Sequence, residues 1–279
     1  MRSVRKWAPL CVLLALVLML YNDPCLILWW PQQPAELQNT KTLPLDMATD
    51  SVDDMYGGCR SEAAYLVNLY FSFEWEANRS FSSARSSAER HAKEPAHKGL
   101  KRGHAVALYM FTEGKHIQQE FNAAVRTGKH KYGTHGFKYY YFYFYLTDAI
   151  QVLHRDQTLC RSAYHRTWRQ FGHDVINTNM RFGAFTLAAS ADQSFDANGN
   201  VSCFEIFTCF SADVTYYSAT GMEGQILIPP YEVFKITDVL TDDPRCSVVY
   251  KLQSTKTPRR DLNCKLNERL TGTIFDSTN

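Results

Sequence analysis

The pattern of apolar and polar positions changes about halfway along the chain. Within residues 45–128, apolar side chains recur at helical spacing, as at Ile117, Phe121 and Val125. After Cys160, short apolar runs alternate with turn residues, which is typical of strands. Helical sequence followed by strand-rich sequence predicts an α+β domain, with an N-terminal helical part packed on a C-terminal β-rich core.

Individual segments give more specific predictions. The stretch between Phe73 and Arg102 is charged and rich in serine, which predicts a helical segment that lies on the surface. In the second half, six runs are predicted as strands: residues 181–185, 201–210, 214–218, 226–228, 234–236 and 247–252.

Residues 137–146 are mostly tyrosine and phenylalanine. Aromatic residues favour strands, yet residues 147–153 that follow have a helical pattern, so periodicity alone does not settle the structure here. Packing in the core is the predicted role of these rings, because large aromatic side chains dominate protein interiors. A role in stacking on bases is the alternative.

The first residues have the features of a secretory signal. Arg2, Arg5 and Lys6 precede an apolar run over residues 10–20, which predicts a signal peptide over residues 1–25. This run is shorter than a membrane span. Apolar residues resume at 26–30, so an uncleaved signal anchor that reaches residue 30 is the alternative, and it is the one route to a membrane.

Behind this leader, residues 26–44 are predicted to form an extended polar lead-in. The short tail, residues 271–279, has no hydrophobic stretch, so no lipid-anchor attachment signal is expected and the protein is predicted to be secreted. Asn78 and Asn200 begin glycosylation acceptor motifs, which fits that route.

The cysteines and the charge limit the functional classes. Six cysteines lie outside the leader, an even number that predicts disulfides in a secreted protein. Their spacing, and that of the histidines, does not match a zinc site, so no metal is expected. The formal net charge of +2 falls to zero without the leader, which removes the electrostatic case for a nucleic-acid partner.

Several motifs together resemble the vertebrate arginine-specific ecto-mono-ADP-ribosyltransferases. The most informative is the run from Glu223 to Phe234, Glu-Gly-Gln-Ile-Leu-Ile-Pro-Pro-Tyr-Glu-Val-Phe. The others are Asp53-Asp54-x-Tyr56-x-Gly58-Cys59, Phe121-Asn122-x-Ala124-Val125-Arg126, Phe137-Lys138, Leu146-Thr147-x-Ala149, Leu159-Cys160, Tyr164-x-Arg166, Arg181-Phe182-Gly183-x-Phe185, Phe207-Thr208-Cys209 and Asn263-Cys264. Each is weak alone, but in this order and spacing they form a strong signature.

The resemblance implies a single ADP-ribosyltransferase-like domain over residues 45–270, with an NAD-binding β-rich core and one helix in the aromatic segment. It also implies transfer of ADP-ribose from NAD(P)+, the substrate, to arginine side chains of extracellular proteins. The bond between ribose and nicotinamide breaks through an oxocarbenium-like state. Family members use an Arg to hold the diphosphate, a Ser to position the cofactor and a Glu to stabilise the cationic sugar.

The resemblance assigns Arg166, in Tyr164-His165-Arg166-Thr167, to the diphosphate, and its planar fork suits phosphate oxygens. Arg181 and Thr186 are also assigned to cofactor binding. The family serine falls on Leu187, which has no hydroxyl. Successive strand residues point to opposite faces, so Thr186 is not a substitute for residue 187 without a slip in register.

At the position of the catalytic glutamate stands Gln225, whose amide can bind a ribose hydroxyl but carries no charge to oppose an oxocarbenium ion. Glu223 matches the upstream glutamate that the family uses for the arginine acceptor. As an alternative, a two-residue bulge beside Gly224 would let Glu223 itself reach the ribose.

The resemblance also implies two disulfides, Cys59–Cys264 and Cys160–Cys209. Cys203 and Cys246 lie outside that pattern and either pair with each other or remain free thiols. Two functional hypotheses follow. The chain is an NAD+-dependent transferase that retains at least weak activity, or it is a secreted or cell-surface binding module with the same fold and no catalysis.

Overall fold

The computed structural model describes residues 42–77, 79–134, 136–157, 159–190, 201–241 and 243–266, with only the backbone for 70–77. The predicted signal peptide, most of the lead-in, the C-terminal tail, Asn78 and Asn200 lie outside these residues, so those predictions remain as stated. Among the described helices, none is both long enough and apolar enough to cross a lipid bilayer.

Five helices form the first half of the described chain. Their bounds are α1 Arg60–Ala77, α2 Arg79–His91, α3 Arg102–Glu113, α4 Lys115–Arg126 and α5 Tyr140–Arg155. The apolar positions predicted in α4 face inward, since Ile117, Phe121 and Val125 are all buried. The periodicity of the sequence therefore located this helix correctly.

The aromatic segment is a helix, α5, and its rings fill the core. Every residue from Tyr140 to Ile150 is buried, so burial on all sides outweighs the strand preference of aromatic residues. Phe142 packs on Phe121 with ring centroids 4.5 Å apart, and Tyr143 lies edge-on to Phe185 at 5.4 Å. This confirms the predicted helix and the predicted packing role.

The surface position predicted for residues 73–102 is only partly correct. Helix α2 buries Phe81 and Ala88, and its Arg85 guanidinium lies 4.3 Å from the centre of the Tyr141 ring. The arginine stem covers apolar surface while the charge stacks on an aromatic face, so a helix of polar composition still docks on the core.

Eight strands follow in the described residues. They are β1 Arg161–Thr167, β2 Asn179–Met180, β3 Thr186–Ala189, β4 Ser202–Thr208, β5 Ala212–Asp213, β6 Gln225–Ile228, β7 Phe234–Leu240 and β8 Val248–Ser254, in the spatial order β2-β7-β8-β4-β1-β3-β6-β5. The pairing of β4 with β8 is parallel and the others are antiparallel. Helices first and strands second confirm the predicted α+β class.

Two of the predicted strands are wrong. Residues 181–185 form an irregular segment between β2 and β3, and Thr215–Tyr217 is a turn of 3-10 helix. Conversely, the strand β1 was not predicted. Its sequence is Arg-Ser-Ala-Tyr-His-Arg-Thr and only Ala163 is fully buried, so the apolar alternation that identifies a strand is absent.

Three disulfides join distant segments of this fold. Cys59–Cys264 closes 205 residues of chain, Cys160–Cys209 closes 49, and Cys203–Cys246 closes 43. The first two confirm the pairings that the resemblance implied, and the third settles the alternative left open for Cys203 and Cys246. Each loop closed this way restricts the unfolded chain and stabilises the fold by about 3–5 kcal/mol.

Candidate active site

The central strands carry three of the predicted positions on one face. Ala189 of β3 pairs with Tyr164 of β1 on one side and with Gln225 of β6 on the other. Because β1 and β3 run antiparallel and Tyr164 pairs with Ala189, Arg166 of β1 lies opposite Leu187 of β3. Alternate residues of a strand share a face, so Arg166, Leu187 and Gln225 lie on the same face of the sheet, which we call the Arg166 face.

Arg166 stands near the middle of this sheet. It is half-buried on β1 and directly opposite Cys203 of β4. The next residue back, His165, points to the other face, where its ring lies 6.0 Å from both Phe182 and Phe204. Its Nδ1 donates to the Leu187 carbonyl at 2.8 Å, and burial lowers the pKa of His165, which keeps the imidazole neutral. The strand that presents Arg166 is thus tied to β3.

Leu187, which the resemblance aligns with the family's serine, lies on β3. Directly opposite it stands Leu227 of β6, which is fully buried in the core that the helices cover, and Leu187 packs against that same core. A leucine here exchanges a hydroxyl that can bind a ligand for apolar contact. The side chain contributes to stability, and it cannot hydrogen-bond a cofactor.

Gln225 is the first residue of β6 and is 92% buried, with a relative exposure of 8%. Its Nε2 donates to Thr220 Oγ1 at 2.6 Å, and its backbone N donates to Thr215 Oγ1 at 2.9 Å. Within the described part of the chain its Oε1 is buried and accepts no hydrogen bond. Such an acceptor is costly unless a ligand or water donates to it, so Gln225 retains the capacity to bind a hydroxyl.

Thr215 and Thr220 were not predicted as site residues. They lie on the 3-10 turn and in the segment before β6, and they hold the Gln225 backbone and amide in place. The sequence gives no periodic or motif signal for them. Only the fold brings these hydroxyls to residue 225.

The register of β6 leaves Glu223 outside the strand. The β3–β6 ladder is regular from Thr186↔Ile228 to Ala189↔Gln225, and the Ser190 N–H then donates to the Gly224 carbonyl at 2.7 Å. Glu223 follows as an exposed residue of the preceding turn. The two-residue bulge considered from the sequence is therefore not present at this end of the described strand.

Gly224 is the residue that makes this turn possible. Its φ is +67°, and a β-carbon here would lie 2.0 Å from the Ser190 hydroxyl. Any side chain would have to displace Ser190, so the backbone approach requires glycine. The close contact fixes the turn that carries Glu223 against the end of β3.

The side chains of Thr186 and Arg181 both form hydrogen bonds within the protein. Thr186 is buried on the face opposite Leu187 and donates to the Ala184 carbonyl at 3.3 Å. The Arg181 side chain is 0% exposed, and it donates to the carbonyls of Met47, Ala48 and Pro230 and to Ser51 Oγ. Both side chains are thus held by internal contacts in the structure, and their role in cofactor binding remains a prediction.

The Asp-Asp motif forms a buried framework next to Arg181. Asp53 lies 3.8 Å from the Arg181 Nη1 and accepts the Leu262 N–H at 2.9 Å. Asp54 accepts the N–H of Cys264 at 2.9 Å and the Tyr132 hydroxyl at 2.8 Å. Burial raises the pKa of Asp54 to about 6. These contacts hold the first turn after residue 50 against the Cys59–Cys264 disulfide.

Glu232, in the Pro-Pro-Tyr-Glu run, is a second buried carboxyl with a structural position. It accepts the Cys209 N–H and the Thr208 hydroxyl, both at 2.6 Å. Burial raises its pKa to about 7. The signature run therefore mixes a site position, Gln225, with a residue that secures the Cys160–Cys209 end of β4.

A cavity of about 650 Å³ lies beside the end of α5, lined by His97, Asp156, Gln157, Tyr216 and Tyr217 among others. None of Arg166, Leu187 and Gln225 lines it. It borders the 3-10 turn whose Thr215 supports Gln225. In the part of the chain that the structure describes, no group of three or more His, Cys, Asp or Glu side chains is placed to hold a metal ion.

Comparison with known proteins identifies the family. The family model for NAD:arginine ADP-ribosyltransferase matches residues 45–258, well over half of the chain. The chain belongs to this family. The predicted family resemblance is thereby confirmed.

Relatives and solved structures agree with this assignment. Mouse ecto-ADP-ribosyltransferase 4 is 29% identical over 76% of this chain and 74% of its own length. Mouse GPI-linked NAD(P)(+)–arginine ADP-ribosyltransferase 1 is 32% identical over 69% of this chain and 64% of its own length. The crystal structure of the mono-ADP-ribosyltransferase ART2.2 matches with a TM-score of 0.64 and 29% identity over 80% of this chain and 98% of that one.

Variants of ART2.2 have been solved in complex with NADH and with NAD, and they match this chain with TM-scores of 0.64 and 0.62. Each covers 98% of the ART2.2 chain and 80% of the present one. The family fold, including its helical first half and strand-rich second half, is therefore present here almost in full.

Proposed function

We propose that this protein is an extracellular NAD+-dependent ADP-ribosyltransferase of the arginine-specific class in which transfer is slow. One observation carries the proposal. Arg166, Leu187 and Gln225 lie on one face of the central strands, and the resemblance aligns Leu187 and Gln225 with the family's Ser and Glu. Binding is retained better than catalysis.

Arg166 supplies the cation for the diphosphate of NAD+. It is half-buried, which strengthens charge-assisted hydrogen bonds, and its guanidinium presents parallel donors to phosphate oxygens. The buried Oε1 of Gln225 accepts a hydrogen bond from a hydroxyl of the nicotinamide ribose. Together these two contacts place the bond between ribose and nicotinamide at the Leu187–Gln225 end of the Arg166 face.

The missing groups explain the slow transfer. A neutral amide at Gln225 does not stabilise a positive charge that develops on the ribose, and loss of such an electrostatic contact costs about 10²–10³ in rate. Leu187 provides no hydroxyl to fix the cofactor. Glu223, exposed on the adjacent turn, is placed to bind the arginine guanidinium that receives ADP-ribose, as the upstream glutamate does in the resemblance.

A second function is favoured by the internal contacts at the same positions. Leu187 packs into the helical core and the Gln225 amide is tied to Thr220, so both residues contribute to the stability of the fold. A secreted or cell-surface module that binds NAD+, or a protein partner, without turnover has this arrangement. Turnover separates the two functions.

The test is an assay with NAD+ and agmatine, an arginine analogue, on the protein expressed from the full chain. Released nicotinamide and ADP-ribosyl-agmatine are measured separately for the wild type, for Glu223→Gln and for Glu62→Gln, an exposed carboxylate of α1 that serves as the control. We expect slow release of nicotinamide in all three proteins and a loss of agmatine modification in Glu223→Gln only.

Two other results would change the account. If Glu223→Gln abolishes nicotinamide release as well, Glu223 is the catalytic carboxylate and the register that we describe does not hold during catalysis. If the wild type binds NAD+ but releases no nicotinamide, the protein is the binding module.

A further inference from the structure

Residues 218–224, between the 3-10 turn and β6, form the turn that carries Glu223, and we call them the Glu223 turn. Residues 220–223 are all exposed, so apolar packing gives this turn little support. Gly221 and Gly224 have φ values of +63° and +67°, in the left-handed region that glycine adopts without strain. The position of Glu223 therefore depends on the contacts that hold the two ends of the turn.

The second end of the Glu223 turn is held by β3. The Ser190 N–H donates to the Gly224 carbonyl at 2.7 Å, and Gly224 lies so close to the Ser190 side chain that a β-carbon has no room. Gln225 then begins the regular pairing of β6 with β3. This end of the turn thus belongs to the sheet.

The first end is held by a helix. The Ala219 N–H donates to the hydroxyl of Thr112, near the end of α3, at 2.9 Å. Thr112 is 8% exposed, and its hydroxyl lies 3.0 Å from the carbonyls of both Leu108 and Tyr109 in the preceding turn of α3. The hydroxyl therefore donates its hydrogen within the helix and accepts the Ala219 N–H with a lone pair.

The neighbours of Ala219 extend this contact toward the candidate active site. The Ser218 hydroxyl lies 3.1 Å from Thr220 Oγ1 and accepts the Thr220 N–H at 3.2 Å. Thr220 Oγ1 in turn accepts from the Gln225 amide. Hydrogen bonds thus run from α3 through the start of the Glu223 turn to Gln225.

The 3-10 turn that precedes the Glu223 turn has contacts of its own. Tyr217 is buried, and its hydroxyl accepts the His97 N–H at 3.3 Å. Thr215 Oγ1 accepts the Gln225 N–H. These contacts do not involve Thr112, so loss of the Thr112 hydroxyl removes support only from residues 218–223.

We propose that Thr112 is a positioning residue for the arginine acceptor, because it fixes the Glu223 turn and, through that turn, the Glu223 carboxylate. This rests on the proposed function, in which Glu223 binds the guanidinium that receives ADP-ribose. A carboxylate on a turn held at both ends has less conformational freedom to lose on binding, so it binds more tightly. Thr112 lies outside the family motifs of this chain and belongs to the helical half, so the helices contribute to acceptor binding as well as to the core.

The first experiment measures the opening of the Glu223 turn and does not require catalysis. The native full-chain protein is treated with a protease that cleaves after glutamate, and cleavage after Glu223 is followed by mass spectrometry. Thr112→Val keeps the shape of the side chain and removes the hydroxyl, whereas Thr112→Ser keeps the hydroxyl and removes the methyl group. We expect Thr112→Val to accelerate this cleavage about 5-fold, because one hydrogen bond is lost and cleavage follows the population of the open turn. Thr112→Ser is expected to stay within about twofold of the wild type.

The second experiment measures ADP-ribose transfer to agmatine by the same proteins. When transfer is slow, KM reports affinity, so Thr112→Val should raise the KM for agmatine about 5-fold and Thr112→Ser should retain the wild-type value. Release of nicotinamide without agmatine should change by less than about twofold in Thr112→Val, because Gln225 keeps its pairing with β3 and its hydrogen bond to Thr215.

Thr237→Val is the control in both experiments. The Thr237 hydroxyl also donates to a backbone carbonyl, that of Lys251 at 3.2 Å, but Thr237 lies on β7, which four strands separate from β6. We expect this variant to match the wild type in cleavage after Glu223 and in the KM for agmatine.

The two experiments separate failure of the inference from failure of the proposed function. Equal cleavage after Glu223 in the wild type and Thr112→Val overturns the inference and leaves the proposed function intact, and so does faster cleavage with an unchanged KM for agmatine. Equal changes in Thr112→Val and Thr112→Ser also overturn it, since the hydroxyl is then not the group responsible. If cleavage rises in Thr112→Val only and the wild type transfers no ADP-ribose, Thr112 still positions the Glu223 turn and the proposed function fails.

Discussion

The region around Asp53 and the Arg166 face differ in the contacts that their motif residues make. Around Asp53, each motif residue has buried partners: Arg181 donates to Met47, Ala48, Pro230 and Ser51, and Asp54 accepts from Tyr132 and Cys264. On the Arg166 face, Leu187 and Gln225 are the residues that the resemblance aligns with the family's Ser and Glu.

This difference shows what constrains each region. A buried charge that loses its partner destabilises the fold directly, so the framework tolerates little change. A serine or glutamate that touches only a ligand contributes nothing comparable to folding, so it can be replaced while the domain remains stable.

The largest effect is expected in the framework. Arg181→Ala removes the hydrogen bonds to three carbonyls, leaves those buried acceptors unpaired and leaves Asp53 with Arg259, 3.6 Å away, as its cationic partner, so the free energy of unfolding should fall by about 3–5 kcal/mol. Denaturant unfolding measures this, with Arg260→Ala as an exposed control that changes stability by less than about 0.5 kcal/mol. An Arg181→Ala protein of wild-type stability with weakened NAD+ binding would contradict this structural role and show that Arg181 binds the cofactor.

The next effect concerns catalysis on the Arg166 face. Gln225→Glu with Leu187→Ser restores both family groups and should raise NAD+ turnover with agmatine by about 10²–10³-fold. Gln225→Glu alone should raise it less, because nothing yet fixes the cofactor at position 187. Full family-like turnover from the single change would show that Leu187 does not limit the reaction.

A pH dependence is expected from Glu232 in the framework. Its pKa is about 7 in the folded protein and near 4.5 in the unfolded chain, so the folded state holds the proton more tightly. The free energy of unfolding must then decrease as pH rises from about 5 to 8, by about 2 kcal/mol from this group.

The matched comparison for this prediction is Glu232→Gln, followed by denaturant unfolding at pH 5, 6.5 and 8. The decrease should be smaller in the variant, while the contribution of Asp54, whose pKa is raised to about 6, is common to both proteins and cancels. Identical pH profiles for wild type and variant would mean that Glu232 does not titrate in this range.

The smallest effect tests the support of Gln225. Thr220→Val removes the acceptor of the Gln225 amide, and the free energy of unfolding should fall by about 1 kcal/mol. In a Gln225→Leu background the same change should cost less, because only the contact of Thr220 with the Ser218 hydroxyl at 3.1 Å is then lost, and a double-mutant cycle measures the difference. Thr257→Val, at another exposed threonine, is the control, and equal costs in both backgrounds would rule out the contact.

The sequence predicted well what depends on local pattern or on strong motifs. Helix α4 followed from the spacing of Ile117, Phe121 and Val125, and two disulfides followed from the family resemblance. Strand β1 was missed because it lies at the centre of the sheet yet carries site residues on one face. Its polar residues remove the apolar alternation that marks most strands.

The sequence could not predict the positions of Arg166, Arg181, Thr215 and Thr220 in the fold, for a different reason. Arg166 and Arg181 both lie in family motifs, and only the tertiary structure shows that Arg166 is half-buried on β1 while Arg181 is enclosed by carbonyls. Likewise Thr215 and Thr220 reach Gln225 through the 3-10 turn. Such long-range contacts have no signature in composition or periodicity.

The central claim is that the Arg166 face binds NAD+ although its catalytic groups have changed. Calorimetric titration of NAD+ into the wild type and into Arg166→Ala tests it most directly. We predict measurable binding to the wild type and a loss of at least about tenfold in the variant, because the charge-assisted contacts to the diphosphate are removed. Absence of binding to the wild type, or equal affinity in both proteins, would contradict the account.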